Sequence, residues 1–298
     1  MSSPSDEAGP DIDALLRGAP PYPRRVVCLT EETTEILYRI GAGDLVVGVS
    51  GFTQRPAEAR KKPKVSTFLT ADHERILELE PDLVLGFSDL QAELSGELIR
   101  RGVPVYVFNQ RSLAEILQSV RVVAALVGRA KEGERLADEL AQGLRRHAAR
   151  AADLPRRPRV FLEEWHDPLI AGIRWTSELL EIAGGVDICP ELRAEQGAKG
   201  RIVDAEEIAR RDPEAVIASW CGKKVKPDEI RARPGWGEVT AVKRDQLYEI
   251  KSVYLLQPGP AALTEGLDQM ARIVHAIAHG EELPKRREAD ARRADLVR

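Results

Sequence analysis

One pattern occurs twice in the chain, first as Glu74-Arg75-Ile76-Leu77-Glu78-Leu79-Glu80-Pro81-Asp82-Leu83-Val84-Leu85 and, 132 positions later, as Glu206-Glu207-Ile208-Ala209-Arg210-Arg211-Asp212-Pro213-Glu214-Ala215-Val216-Ile217. Both copies begin with a Glu, reach a Pro seven residues later and end in an apolar run. The repetition predicts one supersecondary unit in each half of the chain, and therefore a molecule of two lobes. Ligands of α/β sheets gather beyond the carboxyl ends of strands, so two facing lobes would enclose a cleft.

The length and composition are those of an ordinary two-domain globular protein. The 298 residues suit two domains, and 43% are hydrophobic and 31% charged. A net charge of -4 gives no electrostatic reason to expect nucleic acid, and no run approaches the ~20 apolar residues of a membrane span. Residues 1–23 are polar and acidic, unlike a secretory leader, so the sequence as written predicts a cytoplasmic protein. The alternative is a misassigned start site and a periplasmic protein.

Short apolar runs alternate with helical spacing in both halves, which predicts an α/β fold with mainly parallel sheets. Between the halves, Ser112 and Glu115 form a capping-box pattern that opens a helical stretch of roughly 40 residues, about 60 Å long if unbroken. Gly128 and Gly133 are the positions at which this stretch would divide in two. The predicted organisation is a flexible arm (1–23), an N-terminal lobe (24–111), a connecting helix (112–157), a C-terminal lobe (158–282) and a charged tail (283–298).

The loops that follow the predicted strands carry the candidate ligand-binding residues. Aromatic residues make up only 5% of the chain, yet two of the four Trp and three of the five Phe fall in these loops. Flat rings can grip a large, partly apolar ligand while a few polar groups fix its orientation. The candidates are Glu31, Phe52, Phe68, Phe87, Ser88, Glu164, Trp165, His166, Trp220, Tyr254 and Gln257.

Signatures of catalysis are mostly missing from the sequence. It contains no His-Glu-x-x-His, no Cys-x-x-Cys and no phosphate-binding Gly-x-x-x-x-Gly-Lys motif. The expectation is therefore a protein that is not an enzyme and has no metal centre. Glu163, Glu164 and His166 form the only dense acidic and imidazole cluster, and they support the alternative of a cytosolic metal-binding protein or metal-dependent enzyme.

Six short motifs follow one another along residues 24–278. They are Val27-Cys28-Leu29-Thr30-Glu31-Glu32-Thr33-Thr34-Glu35-Ile36-Leu37, Val47-Gly48-Val49-Ser50, Glu80-Pro81-Asp82-Leu83-Val84, Gly102-Val103-Pro104-Val105, Ser177-Glu178-Leu179-Leu180 through Ala183-Gly184-Gly185, and Pro258-Gly259-Pro260. In this order they resemble the periplasmic binding proteins of vitamin B12 and iron-siderophore ABC importers. The resemblance implies two α/β lobes joined by a long backbone helix, and binding without catalysis.

The cobalamin-binding members look most similar. The resemblance implies cobalamin, or a related large cofactor or metal chelate, as the ligand in the interlobe cleft. It also implies an ABC permease dimer as partner, because Glu74 and Glu206 match two glutamates at the tops of the lobes that contact permease arginines. Two departures stand out. Gly200 lies where cobalamin binders often have a tryptophan, and residues 163–166 lack the arginine cluster expected for an anionic siderophore, which favours a neutral corrinoid or a cationic ligand.

Overall fold

The computed structural model describes residues 11–13, 20–281 and 283. Most of the predicted arm and nearly all of the predicted charged tail lie outside the described residues. Within them, the chain forms two α/β lobes with mainly parallel sheets and long connecting helices, as predicted. In the part of the chain that the structure describes, no helix combines the length and the apolar character that crossing a membrane requires.

The N-terminal lobe is built on a parallel five-stranded sheet in the order β3-β2-β1-β4-β5. Its elements are β1 (Val26–Cys28), α1 (Glu31–Arg39), β2 (Val46–Ser50), β3 (Lys64–Ser66), α2 (His73–Glu78), β4 (Leu83–Phe87), α3 (Ala92–Arg100) and β5 (Val105–Phe108). The central strands β1 and β4 are buried along their whole length, which explains their uninterrupted apolar sequence.

The C-terminal lobe contains a second five-stranded sheet, in which β10, β9 and β6 are parallel neighbours. On its other edge β6 pairs with β8 near its start and with antiparallel β7 near its end. The elements are β6 (Arg159–His166), β7 (Leu169–Ala171), α6 (Arg174–Ile182), β8 (Val186–Asp187), α7 (Ala205–Arg211), β9 (Ala215–Ala218), α8 (Pro227–Arg231), α9 (Thr240–Lys243), β10 (Leu247–Glu249), α10 (Ser252–Leu255), a π-helical turn (Ala262–Gly266) and α11 (Leu267–His279).

The repeated sequence forms the same unit twice. Helix α2 leads into β4 beside β1, and α7 leads into β9 beside β6. The residue before each proline takes a left-handed backbone conformation, with φ 45° at Glu80 and 44° at Asp212. Each helix is capped by an aspartate whose side chain accepts backbone N–H bonds of the first turn, Asp72 in α2 and Asp204 in α7.

The connecting stretch is two helices rather than one of 40 residues. Helix α4 (Leu113–Leu126) begins at a complete capping box formed by Ser112 and Glu115, as predicted. It ends before Gly128, whose φ of +71° is incompatible with a helix, and α5 (Ala130–Ala152) then begins. The chain therefore folds back, and α5 packs against α4 where Gly133 lies against Ala124.

One apolar core cluster runs through both lobes. It includes Cys28 and Leu85 of the first sheet, Leu162 of the second, and Val120 and Leu140 of the connecting helices. Polar contacts add to this packing: the Leu113 N–H donates to Glu178 Oε2 at 2.8 Å, and Gln110 Nε2 donates to the Pro258 carbonyl at 3.1 Å. The two lobes are thus fastened together along their common helices.

The contact between α4 and α5 leaves no room for a side chain at position 133. A Cβ added at Gly133 would lie 2.3 Å from Ala124 Cβ, whereas one added at Gly143 of the same helix would meet nothing closer than 3.8 Å. We expect Gly133→Ala to lower the free energy of unfolding by about 1–3 kcal/mol, as overpacked sites do. Gly143→Ala, the control, should leave it unchanged or raise it by up to about 1 kcal/mol. Urea denaturation measures both, and equal effects would contradict this description of the hairpin.

Candidate functional site

We use the word cleft for the space between the strand ends of the two lobes. Charged residues from both lobes lie close enough together there to affect the pKa of the same groups. Cys221 is exposed at the surface, yet partial desolvation of its thiol raises its pKa, and the carboxylates of Glu164 from the same lobe and Glu31 from the opposite lobe raise it further. The cleft therefore brings together residues predicted from both halves of the chain.

The N-terminal wall is formed by the ends of β1, β2 and β4. Phe87 is buried and its ring centroid lies 6.4 Å from that of Phe68. Ser88 has φ 78°, which is strained for a serine, and such strain is concentrated at functional sites. Glu31 Oε1 accepts a bond from Ser50 Oγ at 3.0 Å, and burial raises the pKa of Glu31. Phe52 is 52% exposed, so its ring is available to a ligand.

Trp165 and His166 lie half-buried at the C-terminal wall, but the prediction that Trp220 presents its ring to the ligand needs correction. Trp220 is 1% exposed, because its ring belongs to the core of its own lobe. Its Nε1 donates to Glu163 Oε1 at 2.9 Å, and its ring stacks on His166 at 4.3 Å. Trp220 therefore supports His166 from behind, and His166 Nε2 is 2.8 Å from Lys223 Nζ.

The acidic cluster proposed as an alternative metal site does not converge on one point. Glu163 is buried and makes two bonds, of 2.8 and 2.7 Å, with the Arg233 guanidinium. Glu164 makes two bonds with Arg201, at 2.5 and 3.1 Å. Within residues 11–13, 20–281 and 283, no group of three or more His, Cys, Asp or Glu side chains is placed to hold a metal ion. Both carboxylates are already neutralised by arginines.

Sequence reasoning missed the arginines of the cleft. Arg111 follows β5 and is 9% exposed, and the charges of Arg201 and Glu164 across the cleft are close enough to alter its pKa. The rule applied to the ends of the other strands would have found Arg111 after β5. Arg201 has no such signal, because it lies in a short helical turn far along the sequence from its partner Glu164.

Several exposed apolar side chains of the two lobes were also not predicted. Leu69 follows β3 and is 64% exposed, and Leu90 follows β4 and is 59% exposed. On the other lobe, Ile202 is 49% exposed and forms a β-bridge with Ile170 of β7. Together with Phe52 they are exposed apolar residues outside the cores of the lobes, and we call this set the apolar rim.

Tyr254 and Gln257 lie half-buried between β10 and the π-helical turn. The Arg55 guanidinium carbon is 5.4 Å from the centroid of the Tyr254 ring, and Arg55 forms ion pairs with Glu265 and Glu35. A cavity of about 670 Å³ adjoins this ion-pair group, with Tyr38 and Asp268 in its lining. Its walls come from α1, from residues 54–60 of the loop that follows β2, from the π-helical turn and from the start of α11.

The two matched glutamates lie at equivalent positions on the outside of the lobes. Glu74 is the second residue of α2 and Glu206 the second residue of α7, and both side chains are exposed. Glu74 forms an ion pair with Arg101.

Glu32, at the start of α1, packs against Gly259 and is 2% exposed. Burial raises its pKa from an ordinary 4.5 to about 8, although the Thr30 hydroxyl donates to the carboxyl group. The folded protein thus holds a proton that the unfolded chain releases. The stability that this group contributes is complete below pH 4.5 and is lost as the pH rises through about 8.

We therefore expect wild-type protein to lose stability relative to Glu32→Gln as the pH is raised from about 5 to about 8. The amide keeps the acceptor for Thr30 but has no proton to lose. Urea denaturation across this range measures the difference, and Glu93→Gln, at an exposed glutamate of α3, controls for removal of one negative charge. A difference that does not change with pH would show that Glu32 is ionised in the folded protein.

Comparison with known proteins gives consistent matches to one group. Residues 26–254 match the sequence profile of the family described as periplasmic binding protein. The ABC transporter substrate-binding lipoprotein YvrC of Bacillus subtilis, itself uncharacterised, is 27% identical over 262 residues, which cover 85% of this chain and 80% of that protein. The vitamin B12-binding protein of Vibrio parahaemolyticus is 26% identical, with 88% and 91% covered. Among solved structures, a periplasmic heme-binding protein from Pseudomonas aeruginosa has a TM-score of 0.75 at 20% identity, covering 85% of this chain and 93% of that one.

Proposed function

The chain belongs to the periplasmic binding protein family, and from this we propose that it is the substrate-binding component of an ABC importer. In this proposal it holds a large, partly apolar metal chelate, cobalamin or a haem-type tetrapyrrole, between its lobes. The relatives named for vitamin B12 and the structural neighbour named for heme support this class of ligand. Both are broad, flat rings around a metal.

The observation that carries the proposal is the meeting of both lobes at one cleft. Glu31 and Glu164, from opposite lobes, both raise the pKa of the Cys221 thiol. The charges of Arg201 and Glu164 likewise alter the pKa of Arg111. An apolar rim above a polar floor suits a ligand with a wide ring and polar substituents at its edge. Phe52, Phe68, Trp165 and Tyr254 are the rings that we assign to ligand contact, with Phe87 and Ser88 behind them.

Binding without catalysis agrees with the chemistry of the cleft. Glu163 and Glu164, the carboxylates best placed to act as a base or metal ligand, are each held by two bonds to an arginine. These bonds occupy the carboxylate oxygens that a metal ion or a substrate would otherwise contact. We therefore favour a binding protein over the metal-dependent enzyme.

We also propose that the protein works outside the cytoplasmic membrane. The expectation of a cytoplasmic protein finds no support in the comparisons, because the similar proteins are named as periplasmic proteins or lipoproteins. The N-terminal peptide of protein isolated from native cells tests this proposal.

Titration of the purified protein with cobalamin and with haemin, followed by absorbance, tests the proposed function. We expect at least one of them to bind with a dissociation constant below about 1 μM, or about −8 kcal/mol. Phe52→Ala should weaken that binding by more than about 1 kcal/mol, because it removes an exposed ring from the rim. Tyr106→Ala, at an exposed ring in the middle of β5, is the control. If neither ligand binds at about 100 μM, the proposed ligand class is wrong.

We assign Glu74 and Glu206 to docking on the permease. Their equivalent placement on two related units suits a partner with two matching basic pockets. Replacing both with Lys should reduce ligand uptake by native cells at least about tenfold while leaving the dissociation constant of the ligand unchanged. Glu93→Lys, in the first turn of α3, is the matched control. Normal uptake by the double variant would remove these residues from the interface.

A further inference from the structure

Arg111 is a buried cation whose charge is poorly compensated. Within the part of the chain that the structure describes, the one carboxylate within 4 Å of its guanidinium belongs to Asp89, at 3.6 Å. The Asp89 side chain is 80% exposed, whereas that of Arg111 is only 10% exposed. By contrast, Arg201 and Arg233 each make two bonds with a buried or half-buried carboxylate.

The hydrogen bonds of Arg111 are also incomplete. Its Nη1 donates to the Gln110 carbonyl at 3.2 Å and its Nη2 to Ser88 Oγ at 3.4 Å, both long for a guanidinium. Its Nε is buried and has no acceptor. Burial lowers the pKa of Arg111, and the positive charge of Arg201 lowers it further against the opposing effect of Asp89. An arginine nevertheless stays protonated in proteins. The Arg111 guanidinium therefore lacks both an acceptor for its Nε–H and a closely bound negative charge, and a carboxylate would supply both.

Arg111 lies beside two residues that are assigned to ligand binding in the proposed function. The guanidinium carbon of Arg111 lies 4.8 Å from the centroid of the Phe87 ring and beside the strained Ser88, both assigned above to the cleft. On the facing wall, Arg201 also has a buried Nε without an acceptor. Arg111 and Arg201, from opposite lobes, thus each keep one donor without an acceptor, although Arg201 is paired with Glu164 and Arg111 is not paired so closely.

We propose that Arg111 binds a carboxylate carried by the ligand, and that the protein therefore selects anionic chelates over neutral corrinoids. This proposal rests on the proposed function and narrows it. It also reverses the sequence-based preference for a neutral or cationic ligand, which counted the acids of residues 163–166 without the arginines that neutralise them. The carboxylate could belong to a porphyrin or to an iron-carrying carboxylate chelate.

Four probes separate these possibilities: haemin, which has two carboxylates; its dimethyl ester, which has none; cobalamin, a neutral corrinoid; and ferric citrate. Wild-type protein should bind haemin or ferric citrate at least about tenfold more tightly than the ester and cobalamin. Arg111→Gln should lose about 10- to 100-fold in affinity for the preferred anionic probe and change little for the neutral ones. Arg111→Lys should fall between the two, because it keeps the charge but not the fork of donors. Arg210→Gln, at a side chain that is 74% exposed on α7, is the control.

A second readout distinguishes ligand binding from a structural role. Because Arg111 is an under-compensated buried charge, the ligand-free Arg111→Gln protein should be as stable as wild type, or more stable, in urea. A loss of stability together with equal losses of affinity for all probes would make Arg111 a structural residue and overturn the proposal. Tight binding of cobalamin or the ester that does not depend on Arg111 would overturn it while leaving the proposed function intact. Binding of none of the four probes would overturn both.

Discussion

The apolar core shared by the two lobes is the constraint on which the rest of the molecule depends. Helices α4 and α5 pack back to back, and their buried faces join the sheets of both lobes into one cluster that also includes α6 and α11. Polar bonds reinforce it, including the one that the Ala261 N–H donates to Glu35 Oε2 at 3.2 Å. Because separating the lobes would expose this core to water, its packing opposes any movement that pulls the lobes apart. If the ligand binds between the lobes as proposed, this packing lowers the entropy cost of binding.

Charge compensation in the cleft is built from residues that are far apart in sequence. Glu163 and Glu164 are neighbours in β6, yet their arginines come from positions 233 and 201. Residues 163–166 alone suggest a negatively charged C-terminal wall, but these ion pairs neutralise both carboxylates. What remains is a cleft with two incompletely bonded guanidinium groups and an apolar rim. Its chemistry thus depends on long-range pairing that no local stretch displays.

The features that the sequence could predict are those with a short-range cause. The repeated unit, the strand–helix alternation and the Ser112–Glu115 capping box all follow from patterns within about ten residues, and the structure contains each of them. The sequence left two positions for the break between the connecting helices, Gly128 and Gly133. Only the packing of α5 on α4 selects Gly128. The burial of Trp220 could not be predicted, since a tryptophan after a strand fits a cleft wall and a lobe core equally well. Trp220 stacks on His166, which is far away in the sequence, so only the folded structure shows which environment the ring occupies.

The π-helical turn at Ala262–Gly266 has a consequence for how new specificities could arise. In this turn Gly266 packs against the backbone of α10, so that an added Cβ would lie 2.3 Å from the Tyr254 carbonyl oxygen. Any larger residue there must displace the backbone that carries Tyr254. Since Tyr254 is a residue that we assign to ligand contact, substitutions at position 266 would alter specificity from a position that does not itself touch the proposed ligand.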